Sequence, residues 1–127
     1  MESNEFIIAI STNQEPLRQI EAVRNVLQQT FPEAVFSDFV STKAIGDHYK
    51  TPFYNGAARI VTALSLEALT TLLKQMEQQA GRTPEMKAAG IVPIDLDIIV
   101  HNNSIVHRDY ARFPFVRKAV DALWLKK

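Results

Sequence analysis

The order of its periodic segments limits this chain most: strand-length apolar runs and helix-length amphipathic runs follow one another as β-α-β-β-α-β. Residues 6–10, Phe-Ile-Ile-Ala-Ile, are apolar without a break and rich in β-branched side chains, which predicts a buried strand. Glu15-Pro16 reads as a helix start, because the missing N–H of a proline costs nothing in the first turn. Leu17, Ile20, Val23, Leu27 and Phe31 then recur at helical spacing, and Pro32 stops the helix. Residues 34–40 predict a second strand, and 41–52, with Gly46, Asp47 and Pro52, predict a mobile loop. Residues 53–64 predict a long third strand in which Gly56 marks a bulge or a close approach. Ser65 is placed to cap a second helix, with Glu67 in its first turn, an apolar stripe of Leu66, Leu69, Leu72, Leu73 and Met76, and Gly81 at its end. A second loop without period, 82–90, leads to the strand 91–100.

This order predicts an α+β fold of the ferredoxin-like, split-βαβ type, with a four-stranded, mainly antiparallel sheet and both helices on one face. A right-handed crossover puts strands 6–10 and 53–64 at its centre. Behind it come a turn at 101–104, a hairpin arm at Ile105-Val106 and a terminal helix over 115–124, together a C-terminal hairpin and helix appendage. With 127 residues and no repeat or linker, positions 1–127 are expected to form one domain.

Two aspartates sit in the most hydrophobic stretch, Ile91-Val92-Pro93-Ile94-Asp95-Leu96-Asp97-Ile98-Ile99-Val100. In a strand, Ile94, Leu96, Ile98 and Val100 point one way and Asp95 and Asp97 the other, with Cα atoms roughly 6.5 Å apart. Neighbouring carboxylates repel unless a cation or a shared proton relieves them. Hard cations such as Mg²⁺ take oxygen ligands and bridge carboxylates to phosphates. The competing reading is a pair of acids that simply faces water.

Fourteen basic and fourteen acidic residues cancel, so no global field draws in nucleic acid or a membrane surface. The absence of cysteine excludes thiolate sites and fits a cytoplasmic enzyme. The N-terminal Met-Glu-Ser-Asn-Glu is unlike a signal peptide, and no apolar run is long enough to span a bilayer. His48, His101 and His107 lack metal-ligand spacing and read as surface or turn residues.

The chain resembles the 6-hydroxymethyl-7,8-dihydropterin pyrophosphokinase family along almost its whole length. Ser11-Thr12-Asn13 stands where that family has Gly-Ser-Asn, and Phe53-Tyr54-Asn55 where it has Tyr-Leu-Asn. Glu77 with Gly81-Arg82, and Ile94-Asp95-Leu96-Asp97-Ile98, complete the match in register. The resemblance implies transfer of pyrophosphate from ATP to the hydroxymethyl group of a reduced pterin, with release of AMP. It implies that Asp95 and Asp97 hold two Mg²⁺ ions and that Asn55, Phe53 and Thr42 receive the pterin. It further implies that Glu77 and Arg82 face the nucleotide, Arg82 also serving catalysis with the two aspartates. The chain departs from the family pattern at Pro84 and Val92, where arginines are expected, at Ala89 in place of a tryptophan, and at Phe115 in place of a histidine. Lys43, Lys50, Lys87, Arg112, Arg117 and Lys118 are basic residues available as substitutes. A relative that binds a pterin or a protein partner without catalysis, and a kinase with another acceptor, remain the alternative readings.

Overall fold

A computed structural model describes residues 3–44, 48–49 and 51–124. Lys50, and Gly46 and Asp47 of the expected mobile loop, lie outside the described residues. The elements run β1 (Asn4–Thr12), α1 (Pro16–Thr30), β2 (Val35–Phe36), β3 (Val40–Thr42), β4 (Phe53–Thr62), α2 (Leu66–Gln79), α3 (Pro84–Ala88), β5 (Asp95–His101), β6 (Ser104–Ile105), α4 (Asp109–Arg112) and α5 (Pro114–Leu123). The architecture is α+β, with an antiparallel sheet ordered β2-β4-β1-β5-β6 and β3 paired to β4 beyond β2. The central places of β1 and β4 agree with the crossover argument.

One expectation about the sheet is corrected. Among the described residues it has six strands rather than four. The single strand expected over 34–40 breaks at Ser37, whose amide donates to the Ala57 carbonyl (2.9 Å) while its hydroxyl accepts from the Ala57 amide (2.8 Å). The edge therefore divides into β2 and β3. Both faces of the sheet are packed. Helices α1 and α2 pack Val23, Leu27, Leu69, Leu73 and Met76 on Phe6, Ile8, Ile10, Ala58 and Ile60, as expected. Helix α5, however, packs Val116, Val120 and Leu123 on the opposite face, against Ile7, Ala9 and Ala57. The cause lies in the unbroken apolar run of β1, which exposes hydrophobic side chains on both faces and demands two covers.

Strand β5 keeps its expected alternation only in part. Ile8 faces Ile98 and Ile7 faces Val100, so Ile99 is an extra residue in β5. The bulge turns Val100 to the α5 face with Ile99, while Ile94 and Leu96 stay with α1 and α2. Leu17, expected in the stripe of α1, is 80% exposed. The expected loop 82–90 holds the short helix α3, started by Thr83, whose hydroxyl accepts from the Met86 amide, and by Pro84. The turn at Asn102-Asn103 has φ of 47° and 68°, the two left-handed residues of a tight hairpin.

Gly56 is a close-approach point. A Cβ built there would stand 2.6 Å from the Phe39 ring. Gly56→Val is expected to destabilise the protein by about 1–3 kcal/mol through overpacking. The measurement is urea unfolding, with Phe39→Ala in the same background recovering part of the loss. Additive effects of the two changes would exclude the clash.

Candidate active site

Helix α5 covers only part of the sheet face it packs on, and the remainder is polar. Register fixes its composition: Ser11 in β1 faces Asn55 in β4 on one side and Asp95 in β5 on the other. One step along, Ala9 faces Ala57 and Asp97. Side chains two apart share a face, so the amide, the hydroxyl and both carboxylates form a strip over small alanines.

Asn55 is 5% exposed and spoken for on both ends. Its Oδ1 accepts from the Ser11 hydroxyl (2.8 Å), and its Nδ2 donates to Thr42 Oγ1 (2.6 Å). An amide has two donor and two acceptor positions, so one of each stays available. Phe53 packs edge-on against Tyr49 at 5.2 Å between centroids. These residues line a cleft of about 310 Å³ that also contains Lys43, Arg82, Asp95 and Asp97. Its other wall comes from the junction of α4 and α5, where Phe113 and Phe115 stack at 5.3 Å and the Arg112 guanidinium lies over Phe113 at 4.8 Å.

A second cleft, of about 490 Å³, opens beside the first and is lined by Lys74, Glu77, Arg82, Asp95, Asp97 and His107 among others. Arg82, Asp95 and Asp97 border both clefts. Arg82 Nη1 donates to Asp95 Oδ1 (2.9 Å) and lies 3.2 Å from Glu77 Oε2. That same Glu77 oxygen accepts from the Leu96 amide (2.8 Å), which ties the end of α2 to the start of β5. Asn13 sets the entry to β5: its Oδ1 accepts from the Val92 amide (2.6 Å), and its Nδ2 donates to the Gly90 carbonyl (2.8 Å).

The carboxylates crowd one another. Burial pushes the Asp97 carboxyl up to about 8, helped by the charge of Asp95. Burial also raises Glu77, against the opposing hydrogen bond from Leu96 and with the help of Asp95. Burial alone would lower the Arg82 guanidinium, but the hydrogen bond and charge of Asp95 outweigh it and hold Arg82 cationic.

All the residues singled out from sequence thus come together: Thr42, Phe53 and Asn55 in the first cleft, Glu77 in the second, and Arg82, Asp95 and Asp97 between them. Of the spare cations, Lys43 and Arg112 line the first cleft, and Lys87 lines a separate pocket that shares Lys74, Glu77 and Arg82 with the second. Sequence reasoning missed three parts of the site. Tyr49 carried no periodic signal, Phe115 read as the start of a terminal helix, and Phe113 lay just outside it. His107 read as a turn residue, yet its Nε2 lies 4.0 Å from Asp97 Oδ1. The signal for His107 was the hairpin itself, since pairing Val100 with Ile105 carries the chain back along β5 toward Asp97.

Comparison with family models matches residues 7–124 to the 7,8-dihydro-6-hydroxymethylpterin-pyrophosphokinase family. The chain belongs to that family. It is a kinase of the folate pathway that transfers pyrophosphate from ATP to hydroxymethyldihydropterin. Comparison with curated proteins gives no match. Among the described residues, no helix is long and apolar enough to cross a membrane.

Proposed function

We propose that the acidic pair works as the shared wall between two substrate seats, the pterin in the cleft of Asn55 and the nucleotide in the cleft of Glu77. The observation that carries this reading is that Asp95, Asp97 and Arg82 border both clefts. A transfer between two molecules needs its reacting atoms side by side with their charges balanced. Asn55 keeps one donor and one acceptor for the edge of a pterin, Thr42 keeps its own hydroxyl proton to donate, and Phe53 offers a ring face for stacking. The bond that forms joins the acceptor hydroxyl oxygen to the β-phosphorus of ATP; the bond that breaks joins that phosphorus to the oxygen it shares with the α-phosphorus, so AMP leaves with that oxygen and the hydroxyl proton passes to solvent. The order β2-β4-β1-β5, with α1 and α2 on one face, supports reading the core as ferredoxin-like.

The donor set suits Mg²⁺. Asp95 and Asp97 offer oxygen only, and with Glu77 and Asp109 nearby the acids outnumber the one guanidinium that pairs with them among the described residues. We assign Mg²⁺ to Asp95 and Asp97, where it would neutralise the phosphates during transfer. Arg82, held between Glu77 and Asp95, keeps the pair from diverging and presents its charge to the nucleotide cleft. Lys43 and Arg112 are positioned to supply positive charge on the acceptor side.

The reading is tested by incubating the protein with ATP, Mg²⁺ and 6-hydroxymethyl-7,8-dihydropterin. AMP should appear in step with pterin pyrophosphate; no AMP above the pterin-free control overturns it.

A pH dependence follows from Asp97. Without an ion its carboxyl, at about 8 against an ordinary 3.8, holds a proton at neutral pH. An ion must displace that proton, so Mg²⁺ affinity should climb with pH below about 8, up to about tenfold per unit, and flatten above it. Calorimetry at pH 7 in two buffers of different ionisation heat should show proton release on Mg²⁺ binding. Equal heats in both buffers, with affinity flat from pH 6.5 to 8.5, would count against the assignment. The stability of the ion-free protein runs the other way. A raised carboxyl contributes fully below the unfolded value near 3.8, and that contribution is lost as pH rises through about 8.

A further inference from the structure

We propose that His107, backed by Asp109, converts the Asp97 end of the acidic pair into a seat for a first-row transition cation that accepts an imidazole nitrogen, such as Mn²⁺ or Co²⁺, in preference to Mg²⁺. The inference rests on Asp97 as a metal ligand and adds to that reading the nature of the ion. Asp97, His107 and Asp109 each present one ligating atom, and the three atoms lie within 4.8 Å of one another. Ligand atoms about 2.1 Å from one octahedral ion stand roughly 3–4 Å apart, so Asp97 Oδ1 and His107 Nε2, 4.0 Å apart, close on one ion with small side-chain rotations. Mg²⁺ is served by oxygen alone, whereas imidazole favours the later first-row metals. A histidine beside the acids therefore changes which ion is held best without changing the charge of the site.

The hairpin holds this histidine in place. The Val106 amide donates to the Ile99 carbonyl (2.8 Å) and carries the chain past β6, bringing His107 Nε2 to 4.0 Å from Asp97 Oδ1. On the other side of the ring, Nδ1 accepts from the Asp109 amide (3.1 Å) and lies 3.7 Å from the Asp109 carboxylate. The neutral ring therefore carries its proton on Nε2. Taking an ion at Nε2 moves that proton to Nδ1, where the Asp109 carboxylate is positioned to accept its hydrogen bond. A carboxylate behind a ligating histidine fixes the tautomer and raises the basicity of the ring. The Asp109 amide released in the exchange lies in the first turn of α4, where N–H groups have no helical partner to lose.

The test uses the full chain loaded with Mn²⁺ alone. Pulsed electron paramagnetic resonance should show ¹⁴N coupling to the bound ion, and His107→Gln should abolish it. In the same variant Mn²⁺ affinity should fall by about 10–100-fold, while Mg²⁺ affinity changes by less than about threefold. Asp109→Asn should keep the ¹⁴N coupling and weaken Mn²⁺ more than Mg²⁺. Circular dichroism confirms that the variants fold. Absence of ¹⁴N coupling in the parent protein overturns the proposal, as does an equal loss of both metals in His107→Gln. The proposed kinase site is judged separately, by the loss of MgATP binding in Asp95→Asn. If MgATP binding is lost there and the parent shows no nitrogen coupling, only the ion preference fails.

Discussion

Asp97→Asn should lower kcat for AMP formation by about 10²–10³, the scale of removing one preorganised electrostatic group, and Asp95→Asn/Asp97→Asn should abolish it. Asparagine keeps the volume and the hydrogen-bonding shape of the side chain, so the sheet has no reason to rearrange. What it removes is the charge. Asp97 is half-buried, and that burial, helped by the charge of Asp95, pushes its carboxyl up to about 8. The same substitution should therefore stabilise the ion-free protein above pH 8, where the parent must carry that charge. Lower kcat with a higher melting temperature is the pattern of a strained functional group rather than a structural one. AMP measured by chromatography and melting followed by fluorescence read the two effects independently. A kcat within about threefold of the parent would remove Asp97 from the chemistry, and a lower melting temperature above pH 8 would remove the strain.

Much of the arrangement around Asp97 is legible in the sequence, for a physical reason. Strand alternation has a period of two, so one apolar stretch with acids at alternate positions already fixes that Asp95 and Asp97 share a face. The order of the elements fixed which strands lie centrally. What stayed hidden depended on tertiary choices that leave little local trace. The Ile99 bulge turns Val100 over, and nothing in a run of aliphatics marks which residue is the extra one. Helix α5 was visible as a helix, but its place required asking what covers Ile7, Ala9 and Ala57, a question the continuous apolar run in β1 already posed. That placement decides where the site lies, since α5 covers the apolar part of the face and leaves the strip from Asn55 to Asp95. His107 was missed because its approach to Asp97 comes from hairpin geometry and not from spacing along a helix. The arginines expected before β5 are absent from sequence and structure alike, and Lys43 and Arg112 approach the first cleft from other elements.

The second large effect belongs to Asn55. Asn55→Ala should lower kcat/KM for the pterin by about 10²–10³ and leave the KM for ATP nearly unchanged, because a site built to hydrogen-bond its substrate loses most when the matching polar group goes. The structure also gives this residue an internal task. Its amide joins Ser11 to Thr42, so the substitution removes the partner of two half-buried hydroxyls and should cost about 0.5–1.5 kcal/mol of stability as well. The two roles separate through Ser11→Ala. That change breaks the bridge from the other side, frees Asn55 Oδ1 and leaves the amide in the cleft. If Asn55 reads the pterin, Ser11→Ala should cost about tenfold or less in kcat/KM, far below the loss in Asn55→Ala, even where their urea midpoints are similar. If the two variants lose activity equally, the amide serves only to hold β1, β3 and β4 together, and the acceptor is recognised by the aromatic walls instead.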